Sequence, residues 1–295
     1  MTKWNVENVP SQSDRTIIVT GANSGLGLAT TAALAGAGGR VVMAVRDLKR
    51  GAAAAATITG NVEVRELDLA DLSSVRRFAE EWTEPIDVLV NNAGVMLVPQ
   101  STTKDGFETQ FGTNHLGHFA LTNLLLPLIR DRVVTVSSTA HRSGTIDLDD
   151  LNWTSRPYKS WAAYGQSKLA NLLFTLELER RLEGDKSSVR TFAAHPGYAA
   201  TNLQGHSGNR LLTGLMGVGN KLIAQSEQMG ALPSLFAATQ DLPGASYVGP
   251  DGRGEQRGHP TLVGRTAAAS DVDMAKKLWA ASEQLTGVSY PSLTR

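Results

Sequence analysis

The stretch Thr16–Asp47, TIIVTGANSGLGLATTAALAGAGGRVVMAVRD, opens with β-branched residues and then places Gly21, Gly25 and Gly27 within seven positions. Glycine inside a buried element costs backbone entropy, so three in such close order need a reason. Either a tight turn requires them, or something large and charged lies against bare backbone. The flanking pattern decides between these. A strand-like run ends at Thr20 and a helix-like run starts near Gly25. At a strand-to-helix junction the first helical N–H groups have no internal partner and the helix dipole adds positive potential. A pyrophosphate can sit there if no side chain blocks it. Gly21 then permits the turn, Gly25 lets the backbone come close, and Gly27 lets helix and strand pack tightly. The spacing is G-x-x-x-G-x-G rather than G-x-G-x-x-G, and no Lys-Ser/Thr follows as a P-loop requires.

Working outward, further short runs rich in Val, Ile and Thr occupy 15–20, 40–45, 62–67, 86–91, 132–137 and 189–195. They lack clean polar alternation, as strands buried on both faces do. Helix-like segments lie between them: Gly25–Ala37, Leu48–Thr59, Leu72–Trp82, Phe107–Arg130 and Ala162–Leu182. This alternation predicts a single-domain α/β fold over 1–295, a doubly wound parallel sheet of Rossmann type with helices on both faces. After His195 the pattern changes. Residues 199–228 carry many glycines, and Leu211, Leu212, Leu215, Met216, Leu222 and Ile223 mark an apolar face. It packs on the sheet or forms a small helical lid over a substrate cleft.

The bulk composition narrows the function. Of 295 residues, 41% are hydrophobic and 19% charged, the net charge is zero and there is no cysteine. Nothing marks a nucleic-acid partner, and thiolate metal sites, disulfides and cysteine nucleophiles are excluded. No apolar run reaches the roughly 18 residues of a membrane span, and the N-terminus lacks a signal-peptide core, so a cytoplasmic protein is expected. The six histidines show no H-E-x-x-H or comparable spacing, and no metal is expected.

The end of the second strand should lie beside an adenosine ribose. An acidic residue there favours a free 2′-hydroxyl, and a cation favours a 2′-phosphate. Val45 stands where the acid is expected and Arg46 follows, so NADP(H) is expected ahead of NAD(H), although Asp47 argues the other way. Further on, YGQSK puts Tyr164 and Lys168 four apart on one helical face. A free phenol has a pKa near 10, and a neighbouring ammonium makes its proton exchange with a substrate oxygen practicable. VVTVSS brings Ser137 and Ser138, and VLVNNAG brings Asn91, Asn92 and Gly94, to the strand ends that share the rim of the glycine turn.

The set TGANSGLG, LDLAD, NNAG, FGTNHLGHFALT, VVTVSS, YGQSK and HPG, in this order over about 14–250, resembles the short-chain dehydrogenase/reductase superfamily. The wording AVRD, SSTAHRSGTIDLDDLNW and SKLANLLFTLELERRL is most similar to the branch of retinol dehydrogenases and WW-domain oxidoreductases. The resemblance implies that Tyr164 is the general acid/base, that Lys168 bonds the nicotinamide ribose and lowers the phenol's pKa, and that Ser138 orients the carbonyl. It implies that Asn114 holds a relay water. It also implies a cofactor held by Gly21, Asn23, Ser24, Gly25, Leu26, Gly27, Arg46, Asp68, Leu69, Asn92, Ala93, Gly94, Tyr164, Lys168, Pro196, Gly197 and Thr201. The substrate would be a small alcohol or carbonyl compound, lipophilic if the lid is apolar. An inactive NADP-binding sensor and a C=C reductase of protochlorophyllide-reductase type are the alternatives. The intact Asn114, Ser138, Tyr164 and Lys168 weigh against the sensor, and the missing cysteine against the reductase. The long segment 139–163 lies beside helices that many members use to oligomerise, which puts a tetramer in doubt and leaves a homodimer or a monomer open.

Overall fold

A computed structural model of the chain describes residues 3–198 and 226–293. The proposed lid and Thr201 therefore lie largely outside the described residues. Among the described residues eight strands form one sheet: β1 Thr16–Thr20, β2 Arg40–Val45, β3 Asn61–Glu66, β4 Ile86–Asn91, β5 Ile129–Val136, β6 Arg190–Ala194, β7 Tyr247–Pro250 and β8 Pro260–Leu262. Their order is β3-β2-β1-β4-β5-β6-β7-β8. All neighbours are parallel except β8, which runs antiparallel to β7. The six expected strands are present to within a few residues, and the sheet is the expected doubly wound one. The chain winds outward from β1 to one edge, then returns to β4 and winds to the other. The crevice at the carboxyl ends of β1 and β4 is thus the switch point where such sheets bind ligands.

Both faces are covered, which explains the missing alternation. Ile17 and Val19 of β1 join one apolar cluster and Ile18 joins the other, all fully buried. On the first face lie α1 Gly25–Gly36, α2 Leu48–Ala55 and α7 Glu227–Thr239. On the second lie α3 Leu72–Glu80, α5 Gly117–Leu125, α6 Ser160–Gly184 and α8 Val272–Thr286. Among the described residues no helix is long and apolar enough to cross a membrane.

Two helical expectations are corrected. The segment expected as one helix over 107–130 is α4 Thr109–Phe111, a π-turn Gly112–Leu116, α5 and a 3₁₀ turn Leu126–Leu128 around Pro127. Its last two residues begin β5. A side chain at Gly112 would press on Thr103, and one at Gly117 would meet Leu69, so close packing sets this path. The second helix stops at Ala55 rather than Thr59, before β-branched Thr57 and Ile58 and the left-handed Gly60 (φ +133°).

Beyond the lid expected over 199–228, the C-terminal elements carried no expectation. In α8, Asp271 caps the first turn and Gly287 (φ +62°) ends the last. Its Trp279 stacks on Phe174 of α6 (5.6 Å) and edges onto Phe119 of α5 (4.8 Å). The chain's own last helix therefore packs on the outer sides of both α5 and α6.

Candidate active site

The glycine turn lies between β1 and α1, at the switch point. Gly21 and Gly25 have φ of +65° and +57°, the left-handed region that glycine enters without penalty. A Cβ on Gly21 would lie 2.9 Å from Ala93 Cα, and one on Gly27 would lie 2.6 Å from Asn92 Nδ2. Gly21 and Gly27 thus both serve close packing, with the additional turn-making role at Gly21. Ser24 stands at the N-cap of α1, yet its side chain makes no capping hydrogen bond. The first N–H groups of α1 consequently face the crevice without a side-chain cap.

Thr20 ties the turn to the next rim segment. Its hydroxyl accepts the N–H groups of Asn92 and Ala93, both at 2.9 Å, and Asn92 Nδ2 donates to Thr20 O (2.8 Å). His118 completes this junction. Its Nδ1 lies 3.0 Å from the Asn114 carbonyl, which can only accept, so the proton is on Nδ1. The Nε2 lone pair then accepts the Thr20 hydroxyl proton at 2.9 Å. Burial lowers the His118 pKa to about 4, so the neutral ring persists at neutral pH. Neither Thr20 nor His118 was expected in the site. The i,i+4 spacing of Asn114 and His118 was the available signal.

Beyond β2, Arg46 is exposed and has no ion-pair partner among the described residues. Asp47 accepts the Arg50 N–H (3.0 Å) and so caps α2. After β3, Asp68 accepts the Ala70 N–H (2.9 Å), and Leu69 is buried against Gly117.

The catalytic candidates converge on the same rim. Ser138 lies two residues past β5, half-buried, and its Oγ accepts the Ala140 N–H (3.2 Å). Tyr164 and Lys168 lie on α6, both buried, with Lys168 Nζ 5.7 Å from the phenol ring centroid. Lys168 Nζ donates to Val136 O (3.1 Å), an oxygen that Asn171 Nδ2 also reaches (3.1 Å). A Cβ on Gly94 would lie 3.2 Å from Asn114 Oδ1 and 3.6 Å from Lys168 Nζ, so bare backbone faces both groups. The Asn114 carboxamide is engaged by protein: Oδ1 accepts from Val95 N (2.8 Å), while Nδ2 donates to Val95 O and Ser167 Oγ (both 2.9 Å). Of the four hydrogen-bonding positions of the carboxamide, one Oδ1 lone pair is left for the expected water.

Burial dominates the electrostatics. It raises the Tyr164 phenol to about 12, against the opposing hydrogen bond with Ser138. It lowers the Lys168 ammonium to about 8. Desolvation of the phenolate outweighs the Ser138 hydrogen bond. At neutral pH the pair is a protonated phenol beside a largely protonated amine.

At the far side of the rim, Pro196 and Gly197 follow β6, with Gly197 at φ +66°. Residues 139–163 are pinned down: Arg156 binds Asp147 (3.0 Å) and Gln166 (3.0 Å) and covers the Trp153 ring. Trp161, one helical turn before Tyr164, is exposed, its ring centroid 6.1 Å from that of Tyr164.

The pattern describing short chain dehydrogenases matches residues 15–211. Human "Retinol dehydrogenase 13" is 44% identical over 95% of this chain and 86% of that protein. Mouse "Polyprenol dehydrogenase" is 39% identical over 95% and 86%. The crystal structure of an uncharacterized protein from Mycobacterium paratuberculosis superimposes with a TM-score of 0.87 at 55% identity, over 98% of this chain and all of that one. With its glycine turn, its buried Tyr164–Lys168 pair and these relatives, the chain belongs to the short-chain dehydrogenase/reductase family and is an oxidoreductase related to the retinol dehydrogenases.

Proposed function

We propose that the chain is an NADP(H)-dependent oxidoreductase exchanging hydride between nicotinamide and a lipophilic alcohol or carbonyl compound, with Tyr164 as general acid/base. The observation that carries this reading is the meeting of Ser138, Tyr164 and Lys168, distant in sequence, on the rim opened by Gly94 and Gly21.

The residues present fit a nicotinamide dinucleotide. Gly21 and Gly27 pack the turn tightly against Asn92 and Ala93, bare backbone at Gly94 faces Asn114 and Lys168, and the uncapped start of α1 offers N–H donors to a pyrophosphate. Asn23, Ser24, Gly25 and Leu26 line that turn, and Asp68 and Leu69 would hold the adenine. Asn92, Ala93, Pro196 and Gly197 would hold the rest of the cofactor. Arg46 is free to bond a 2′-phosphate, and Asp47 is engaged as a helix cap, which favours NADP(H) over NAD(H). When bound, the cofactor supplies the hydride.

The protein's part in carbonyl reduction is the proton. Ser138 donates a hydrogen bond to the substrate oxygen, and the Tyr164 hydroxyl gives that oxygen its proton as negative charge develops. The Lys168 ammonium, held by Val136 O, stabilises the resulting phenolate and opposes the cost of desolvation. A lipophilic substrate is supported by the names of the relatives, which specify retinol and polyprenol, and by exposed Trp161 one turn from Tyr164. The reading is tested with Tyr164→Phe: NADPH oxidation on a panel of lipophilic aldehydes should slow by about 10²–10⁴ with NADPH binding retained. Near-normal turnover in that variant overturns it, and a wild-type protein that binds NADPH but reduces nothing points to a sensor.

A further inference from the structure

We propose that Glu255, on the loop between β7 and β8, is a positioning residue that sets the spacing of the turns that follow β5 and β6. One is the turn Thr139–Ser143 that follows the catalytic Ser138, and the other is the turn His195–Gly197. The inference rests on the reaction proposed above.

Each carboxylate oxygen of Glu255 has its own partner. Arg142 Nη2 donates to Oε1 at 2.7 Å, and His195 Nε2 lies 3.0 Å from Oε2. The histidine tautomer is determined by its other nitrogen. The Gly197 N–H can only donate, and it does so to His195 Nδ1 at 3.2 Å, so the ring proton is on Nε2 and points at Glu255. The imidazole thereby links the turn after β6 to the carboxylate. On the other side, Arg142 belongs to the short turn whose cap is Ser138, and His141 of the same turn donates from Nδ1 to Ser138 O at 2.7 Å. Tyr247 of β7 separates the two sides, with its ring centroid 5.6 Å from His141 and 5.1 Å from His195.

The loop is shaped for this contact. Gly254 and Glu255 are both left-handed, at φ +64° and +57°, and the second is a conformation that a residue with a Cβ adopts rarely. Gln256 O accepts the Tyr198 N–H at 2.7 Å, and a Cβ on Gly197 would come within 2.5 Å of the same oxygen. A Cβ on Gly249 would run into His195 Nε2, so β7 leaves that ring its place. The loop is closed on itself by Asp251 N to His259 O (2.8 Å) and Gly252 N to Arg257 O (3.0 Å). A single carboxylate on a rigid loop therefore joins the segment bearing the catalytic hydroxyl to the segment from which the chain leaves β6.

The full chain is tested with Glu255→Gln, Glu255→Ala and Arg142→Met, using nonanal and NADPH. Glu255→Ala should speed amide exchange at Gly197, Tyr198 and residues 140–143 by about tenfold or more. It should lower kcat about tenfold to a hundredfold, a larger loss than that in NADPH affinity. Glu255→Gln keeps an acceptor for His195 and should fall between wild type and Glu255→Ala. Arg142→Met should reproduce it, and the double variant Glu255→Gln/Arg142→Met should be no worse than either single one. Unchanged exchange in Glu255→Ala overturns the clamp. Faster exchange with unchanged kcat, or fully additive single effects, overturns the positioning role. If the wild type reduces no carbonyl, the proposed reaction falls, and the exchange measurement with NADPH present then decides the clamp by itself.

Discussion

The two sides of the crevice are built by different means. Over β1 and β4 the rim is joined by backbone: bare glycines at 21 and 27, main-chain N–H groups on the Thr20 hydroxyl, and a neutral histidine beneath. Over β5, β6 and β7 it is joined by charge and titratable side chains: Lys168 on Val136 O, and Glu255 between Arg142 and His195. The first construction tolerates no added atoms and carries little net charge. The second buries Lys168 and His195, which costs stability, and leaves Arg142 exposed at its outer edge. Shape is concentrated where a cofactor must fit, and buried charge where chemistry must occur.

Gly27→Val would test the backbone side most severely. Its branched side chain has no space beside Asn92 Nδ2, so NADPH affinity should fall more than about a hundredfold, and overpacking should remove about 1–3 kcal/mol of stability. Calorimetric titration and thermal melts read both, and retained NADPH binding breaks the comparison.

Lys168→Met addresses the charged side and should separate stability from activity. The buried ammonium is lowered to about 8 from its ordinary 10.5, so the unfolded chain holds that proton more firmly than the native one. Below pH 8 the difference weighs fully against folding, and it disappears as pH rises through 10.5. The variant should therefore be more stable at pH 7, by about 2–3 kcal/mol at most, while its carbonyl reduction collapses. A lower melting temperature contradicts the account.

Arg46→Ala returns to the cofactor side, at its exposed end. If the guanidinium bonds a 2′-phosphate, its loss should weaken NADPH about tenfold to a hundredfold and leave NADH nearly unchanged. Equal losses for both cofactors remove the argument for NADP(H).

Acid acts on both sides at once, and its effect is spread over more than two pH units. His118 and His195 have pKa values lowered by burial to about 4. Between pH 6.5 and 4 the unfolded chain binds protons that the native one refuses, so stability is full above 6.5 and falls as pH drops toward 4. Each histidine contributes a slope of about 1.4 kcal/mol per pH unit. His118→Gln and His195→Gln should each flatten a denaturation series across that window, and an unaltered slope shows the ring to be less buried than described.

Much of the site was legible because it is local. Gly21, Gly25 and Gly27 follow one another within a single turn, and Tyr164 and Lys168 share a helix face, so spacing alone exposes them. Thr20 and His118 were missed, because a threonine ending a strand and a histidine on a buried helix look like ordinary packing. Their role depends on Asn92 and Asn114, which only folding brings near. Glu255 had still less signal. It lies about 60 residues beyond His195, in a region after β6 where the strand and helix pattern had given no expectation.

The amino-acid sequence by itself determined the doubly wound sheet, because continuous Val, Ile and Thr runs between helical periods leave few other ways to bury both strand faces. It also determined the positions of the glycines and of the tyrosine–lysine pair, since these are matters of backbone freedom and helical period. The tertiary structure alone decided the protonation order of Tyr164 and Lys168, the linking role of Thr20 and the reach of Glu255. The reason is that burial and long-range hydrogen bonding are properties of neighbours in space, and a linear chain does not state who those neighbours are.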